Sequence, residues 1–137
     1  MKIVSACLAG IKCRWDGKAK PCDKVIYLVK RGEAIPVCPE QLGGLTTPRI
    51  PAEQKGNKVF AKTGDDLTAQ FKSGAREALK IALLASCDEA ILKSKSPSCG
   101  SGKIYDGTFT RKLIDGDGVF AKILKKNKIK VSSENDI

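Results

Sequence analysis

Four short runs of aliphatic and branched residues narrow the folding options of this chain more than any other feature: KIVSA (2–6), AIPV (34–37), EAILK (89–93) and KIKVS (128–132). Runs of four or five such residues have the length and branching of strands rather than helices. The segments between them follow a helical period. In 23–32, Val25, Leu28 and Val29 share one face and Gly32 stands where a helix C-cap belongs. In 65–86, Leu67, Phe71, Ala75, Ala78 and Ala82 form an apolar stripe, with Lys72, Arg76 and Lys80 on other faces. In 117–127, Val119, Phe120, Ile123 and Leu124 follow a DGDG stretch suited to an N-cap. Alternation of this kind predicts an α/β domain of three-layer, Rossmann-like design, with a mainly parallel sheet of about four to five strands covered by helices on both faces. Right-handed crossovers then bring all strand C-terminal ends to one edge, where open α/β sheets bind ligands.

At 137 residues the chain has the size of a single domain, 1–137, large enough for its own core. No apolar stretch has the length of a membrane span, and the first residues lack the pattern of a secretory leader, so a cytoplasmic protein is expected. Six cysteines in a reducing compartment point to metal binding or catalysis rather than disulfides. None of them form a C-x-x-C pair and the chain has no histidine, which argues against zinc fingers, histidine-ligated haem and Rieske centres. The missing imidazole also leaves acid–base work to a carboxylate, Lys, Tyr, Cys or a metal-activated water. A formal charge of +10 suits an anionic partner such as a nucleotide or RNA, or simply solvated basic helix faces.

Two segments break the alternation. Residues 41–64, rich in Gly and Pro with one strand-like piece (KVFAKT), and residues 100–118, with five glycines, read as long loops over the sheet edge. Each follows a cysteine. Cys7 ends the first strand, Cys38 ends the second and Cys99 comes a few residues after the third, so three distant thiols should converge on one edge. They form either a metal or cluster site, or three small buried hydrophobes. Three thiolates leave one iron of a cubane cluster without a protein ligand, and an open iron is a Lewis acid with an affinity for sulfur. Cys87 fits inert burial, and Cys13 and Cys22 have no assigned role.

Around these thiols Glu40 is placed either for proton transfer or for capping the following turn. Ser94, Ser96 and Ser98 can contact a substrate or serve the turn around Pro97. Lys93, Lys95 and Lys103 can hold an anion, and RWDG at 14–17 joins a cation, an aromatic face and a carboxylate in what is otherwise a tight turn. GSGK at 100–103 lacks the spacing of a phosphate-binding P-loop.

Three segments, VSACLAGIKCRWDG, PVCPEQLGGLTTPR and LKSKSPSCGSGKIYDGTFT, resemble the signature segments of the thiouracil desulfidase family, with GDGVFAKILKKNKIKVSSE in register with its C-terminal part. The resemblance spans essentially the whole chain. It implies a 4Fe-4S cluster held by Cys7, Cys38 and Cys99 with one iron open, and hydrolytic, non-redox removal of sulfur from a thiolated pyrimidine. It also implies catalysis by Glu40 and a serine, Ser96 with Ser98 as the alternative; for the pyrimidine ring, Trp15 or Tyr105 is the expected stacking surface. Ser98 and Lys93 complete the expected substrate contacts. Departures from the family pattern are modest: Trp15 replaces a more usual tyrosine, CLAG a more apolar CLLG, and Cys22 is extra. No second domain of the kind associated with thiolated tRNA is apparent, so a free base, nucleoside or nucleotide is the expected substrate, with tRNA-derived thiouridine as a further possibility. The competing expectations are an open-iron cluster enzyme for another small molecule and a non-catalytic iron-sulfur or RNA-binding module. Oligomeric state has no sequence signature here.

Overall fold

β1 (Lys2–Ser5) carries Ile3 and Val4, both fully buried on opposite faces of the strand, which requires a sheet covered on both sides. A computed structural model describes all residues, 1–137, and shows that arrangement. β2 (Ala34–Val37), β1, β5 (Glu89–Leu92) and β8 (Lys130–Ser133) form a four-stranded sheet in the order β2-β1-β5-β8, every pairing parallel. Ile3, Ala90 and Leu92 point into one core with α3 (Thr68–Leu84) and α4 (Val119–Lys126), including Ala75, Ala78, Ala82, Phe120 and Leu124. Val4 and Ile91 point the other way, into a second core with Val25 of α1 (Asp23–Lys30) and Leu8 of a 3-10 turn (Ala6–Ala9). The expected three-layer α/β design is therefore present with four strands, and the three predicted helices occupy slightly shorter spans than their periodic segments.

The strand order locates the ligand edge. The chain leaves β1 through α1 to β2 on one side, then recrosses through α3 to β5 on the other. The order thus reverses between β1 and β5, and the crevice beyond their C-terminal ends is the switch point of the sheet.

The two segments expected as long loops are antiparallel hairpins. β3 (Ala52–Lys55) pairs with β4 (Lys58–Ala61), and β6 (Lys103–Tyr105) pairs with β7 (Leu113–Asp115). Neither shows a clean period because β3 is mostly polar (AEQK) and β7 is wholly exposed. The legible signal was the two-residue Gly56-Asn57 connection, a hairpin turn type in which Gly supplies the positive φ.

A further short helix, α2 (Pro39–Leu42), follows β2 and packs on α3 through Gly43 and Gly74. A side-chain carbon at Gly43 would strike the Gln70 carbonyl, and one at Gly74 the Pro39 carbonyl. That contact brings the backbones together and sets where the residues of α2 stand relative to the sheet edge.

Candidate active site

Each predicted thiol reaches the switch point by its own route. Cys7 lies in the 3-10 turn that ends β1, Cys38 is the N-cap of α2 just past β2, and Cys99 ends the turn that follows β5. All three line one cleft of about 560 Å³, together with Cys13, which sequence reasoning left unassigned. Every cysteine in the chain is a free thiol. Cys13 stands within hydrogen-bonding reach of the Cys38 and Cys7 thiols, and its carbonyl accepts from Cys38 Sγ at 3.7 Å. Nothing local marked it, since it is six residues past Cys7 in an irregular segment, and only the chain path returns it to the cleft.

The environment keeps Cys13, Cys38 and Cys99 protonated. Cys99 is pushed up to about 12 by burial, against the hydrogen bond from Ser5 and, more weakly, that from Ser96. Cys38 is raised by its hydrogen bond with Cys13 and then by burial. For Cys13 the hydrogen bond with Cys38 lowers the value, but the bond with Cys7 and burial outweigh it and the thiol rises to about 11. A soft metal that binds a neutral thiol displaces its proton, because only the thiolate is a ligand. No three Cys, Asp or Glu side chains converge on one point as the ligands of a single ion would. A cubane asks for a different arrangement, one thiolate per iron, and three thiols on three separate strand ends match that donor set.

Glu40 sits in the first turn of α2, but its carboxylate turns away from the helix amides. Oε1 accepts from Arg49 Nε at 3.1 Å and Oε2 from Ser98 Oγ at 3.2 Å. Arg49 makes three further bonds, to the Cys13 carbonyl (2.9 Å), the Thr46 carbonyl (3.1 Å) and Thr47 Oγ1 (2.9 Å). Capping, the alternative role for Glu40, is therefore not what its side chain does. Arg49 was missed in the sequence because its partners lie up to 36 positions away.

The turn bearing Cys99 is held from two sides. Ser96 Oγ accepts the amides of Ser98 and Cys99, both at 3.1 Å. The first amides of α4 reach back to it, Val119 N to the Pro97 carbonyl (2.9 Å) and Phe120 N to the Ser98 carbonyl (2.8 Å). Ser96 lines the cleft, whereas Ser98 is 1% exposed and stands behind Glu40 instead of on the wall. Trp15, Lys93 and Tyr105 also line the cleft, with Trp15 exposed at its mouth. Lys93 is committed to Glu134 (2.9 Å) and the Ser94 hydroxyl (3.1 Å). Lys103 lies outside the cleft, paired with Asp115 across the β6–β7 hairpin. The cleft walls carry six cations, of which Arg14, Lys62, Lys95 and Arg111 have no ion pair, against two carboxylates, Glu40 and Glu53.

Thiols at a sheet switch point, a carboxylate fixed between a guanidinium and a hydroxyl, and a surplus of positive charge mark this as the catalytic type of cleft in an open α/β protein. Comparison with known proteins gives the particular kind: residues 3–136 match the model of the 2-thiouracil desulfurase family, and the chain belongs to that family. An uncharacterized protein of Bacillus subtilis, YbbK, is 42% identical over 147 residues, covering 100% of this chain and 97% of the relative. Among solved structures, the 4Fe-4S-dependent thiouracil desulfidase TudS superposes with a TM-score of 0.94 at 43% identity, covering 98% of this chain and 91% of that one.

Proposed function

We propose that this protein hydrolyses the thiocarbonyl of a thiolated pyrimidine, releasing hydrosulfide and the oxygen-bearing base, with a 4Fe-4S cluster held by Cys7, Cys38 and Cys99. The observation that carries the reading is the presence of these thiols in one cleft with Glu40, whose carboxylate is fixed by Arg49 and Ser98, in a chain of the 2-thiouracil desulfurase family. When bound, the cluster supplies a thiophilic Lewis acid that polarises the C=S bond. The residues supply the rest. Glu40 takes a proton from the attacking water as its oxygen bonds to the ring carbon, and returns it as the C–S bond breaks. Sulfur keeps its oxidation state throughout, so no electron donor is needed. Ser98 and Arg49 hold the carboxylate in place, and Ser96, whose oxygen already accepts two amides, keeps its proton for a substrate heteroatom.

The unpaired Arg14, Lys62, Lys95 and Arg111 favour a substrate with an anionic group, so a thiolated nucleotide fits the cleft better than a free base. Anaerobic reconstitution followed by iron, acid-labile sulfide and sulfide-release assays on 4-thiouracil, 4-thiouridine and its 5′-monophosphate tests the proposal. The expected result is a coloured protein that releases sulfide fastest from the nucleotide. Glu40→Gln should keep its iron and lose about 10²–10⁴-fold in turnover. A reconstituted protein without iron, or one with a full cluster in Cys7→Ser, Cys38→Ser or Cys99→Ser, overturns the ligand assignment.

A further inference from the structure

The connection between β6 and β7, residues 106–112, is built at a cost that a plain surface turn does not carry. Phe109 and Arg111 both adopt left-handed backbone, with φ of 58° and 63°, a conformation unfavourable for bulky residues. Both residues line the cleft. Such strain persists only where the surroundings overdetermine it, and it gathers at ligand clamps.

Here the surroundings are identifiable. Glu53 of β3, 9% exposed, receives the amides of Gly107 (3.0 Å) and Phe109 (3.1 Å) on one oxygen, Oε1. Gly107, at φ 94°, lies so close to β3 that a side-chain carbon there would meet the Gln54 carbonyl at 2.8 Å. Asp106 Oδ1 accepts from the Thr108 amide (2.9 Å) and hydroxyl (2.6 Å), and the Asp106 amide closes the loop on the Lys112 carbonyl (3.0 Å). The next residue of β3, Gln54, donates Nε2 to the carbonyls of Pro97 (3.0 Å) and Asp117 (2.9 Å). One strand therefore grips both the 106–112 loop and the turn that delivers Cys99.

We infer that the 106–112 loop is a substrate-positioning element in which Phe109 supplies a face for the pyrimidine ring, and that Glu53 is the positioning residue that holds it. This rests on the desulfuration reading above and adds to it a ring contact distinct from Trp15 and Tyr105. Because only one Glu53 oxygen carries both amides, a Gln at that place keeps the clamp and a Leu removes it.

The test uses reconstituted holoprotein with 4-thiouridine, together with amide hydrogen exchange across 106–112. Phe109→Ala is expected to raise KM about tenfold, the scale of losing one base–aromatic stack, with kcat within about threefold of wild type. Glu53→Leu should raise KM similarly and accelerate exchange at residues 107 and 109, whereas Glu53→Gln should resemble wild type in both. An unchanged KM for Phe109→Ala overturns the inference, as does a Glu53→Leu variant that loosens the loop without changing KM. A wild-type holoprotein inert toward 4-thiouracil, 4-thiouridine and its 5′-monophosphate alike sinks the desulfuration reading instead. The loop's role is then decided by 4-thiouridine affinity followed through Trp15 fluorescence, where loss of affinity in Phe109→Ala supports it. Equal affinity in the two proteins, or no binding by either, overturns it.

Discussion

Replacing Arg49 by Met tests the pair on which Glu40 depends. The Arg49 and Glu40 side chains are only 8% and 16% exposed, and the guanidinium makes four hydrogen bonds, to Glu40, Thr46, Thr47 and the Cys13 carbonyl. Met fills much of the volume but leaves the Glu40 carboxylate shielded from water without its cation. Breaking one side of a buried ion pair costs about 3–5 kcal/mol. For 137 residues the unfolding entropy near the midpoint is about 0.29 kcal/mol/K, so the melting temperature should fall by about 10–17 °C. The sharper measurement is a double-mutant cycle in denaturant unfolding of the cluster-free protein. In a Glu40→Gln background the stranded charge is absent, and Arg49→Met should cost about 2–3 kcal/mol less than it does alone. Equal costs in the two backgrounds would refute the coupling and with it the claim that Arg49 holds Glu40. On the holoprotein, Arg49→Met should lower kcat while retaining iron, since it touches none of the three proposed ligand side chains.

Three further outcomes follow from other contacts. Gly74→Ala should destabilise by about 1–3 kcal/mol, despite the roughly 1 kcal/mol helix-propensity gain of Ala, because the new methyl meets the Pro39 carbonyl and pushes α2 off α3; a more stable variant in urea melts refutes this. Burial alone would raise Glu134, but Lys93 and the Ser94 amide outweigh it and hold the carboxyl below its usual range. A lowered folded-state value contributes stability above the unfolded value and loses it as pH falls through the folded one, so Glu134→Gln should cost about 1–2 kcal/mol at pH 7 and nothing in acid below both values; a pH-independent difference in unfolding free energy contradicts the pairing. Ser98→Ala should lower kcat by weakening the hold on Glu40, and Ser96→Ala should also raise KM because Ser96 alone of the two faces the cleft; identical kinetic profiles would undo that division.

The parts of this protein that local chemistry dictates were readable along the chain. Branched runs at 2–6, 34–37, 89–93 and 128–132 became the four sheet strands, and the two central ones, β1 and β5, are apolar on successive residues because both of their faces are buried. The absence of histidine alone excluded imidazole ligation and catalysis, and strand alternation was enough to send Cys7, Cys38 and Cys99 toward one edge. The hairpins escaped because an exposed or polar ribbon has no hydrophobic period to read. What tertiary structure alone decided were relations between distant residues. Periodicity carries no information on strand order, so the switch point between β1 and β5 had to come from packing. Ser98 resembled Ser96 in sequence, yet α4 and α2 close over one and leave the other on the wall. Arg49, Cys13 and Glu53 join the site through contacts made only after the sheet assembles, since a hydrogen bond between residues 36 or 54 positions apart depends on the fold and leaves no trace in either residue's neighbours.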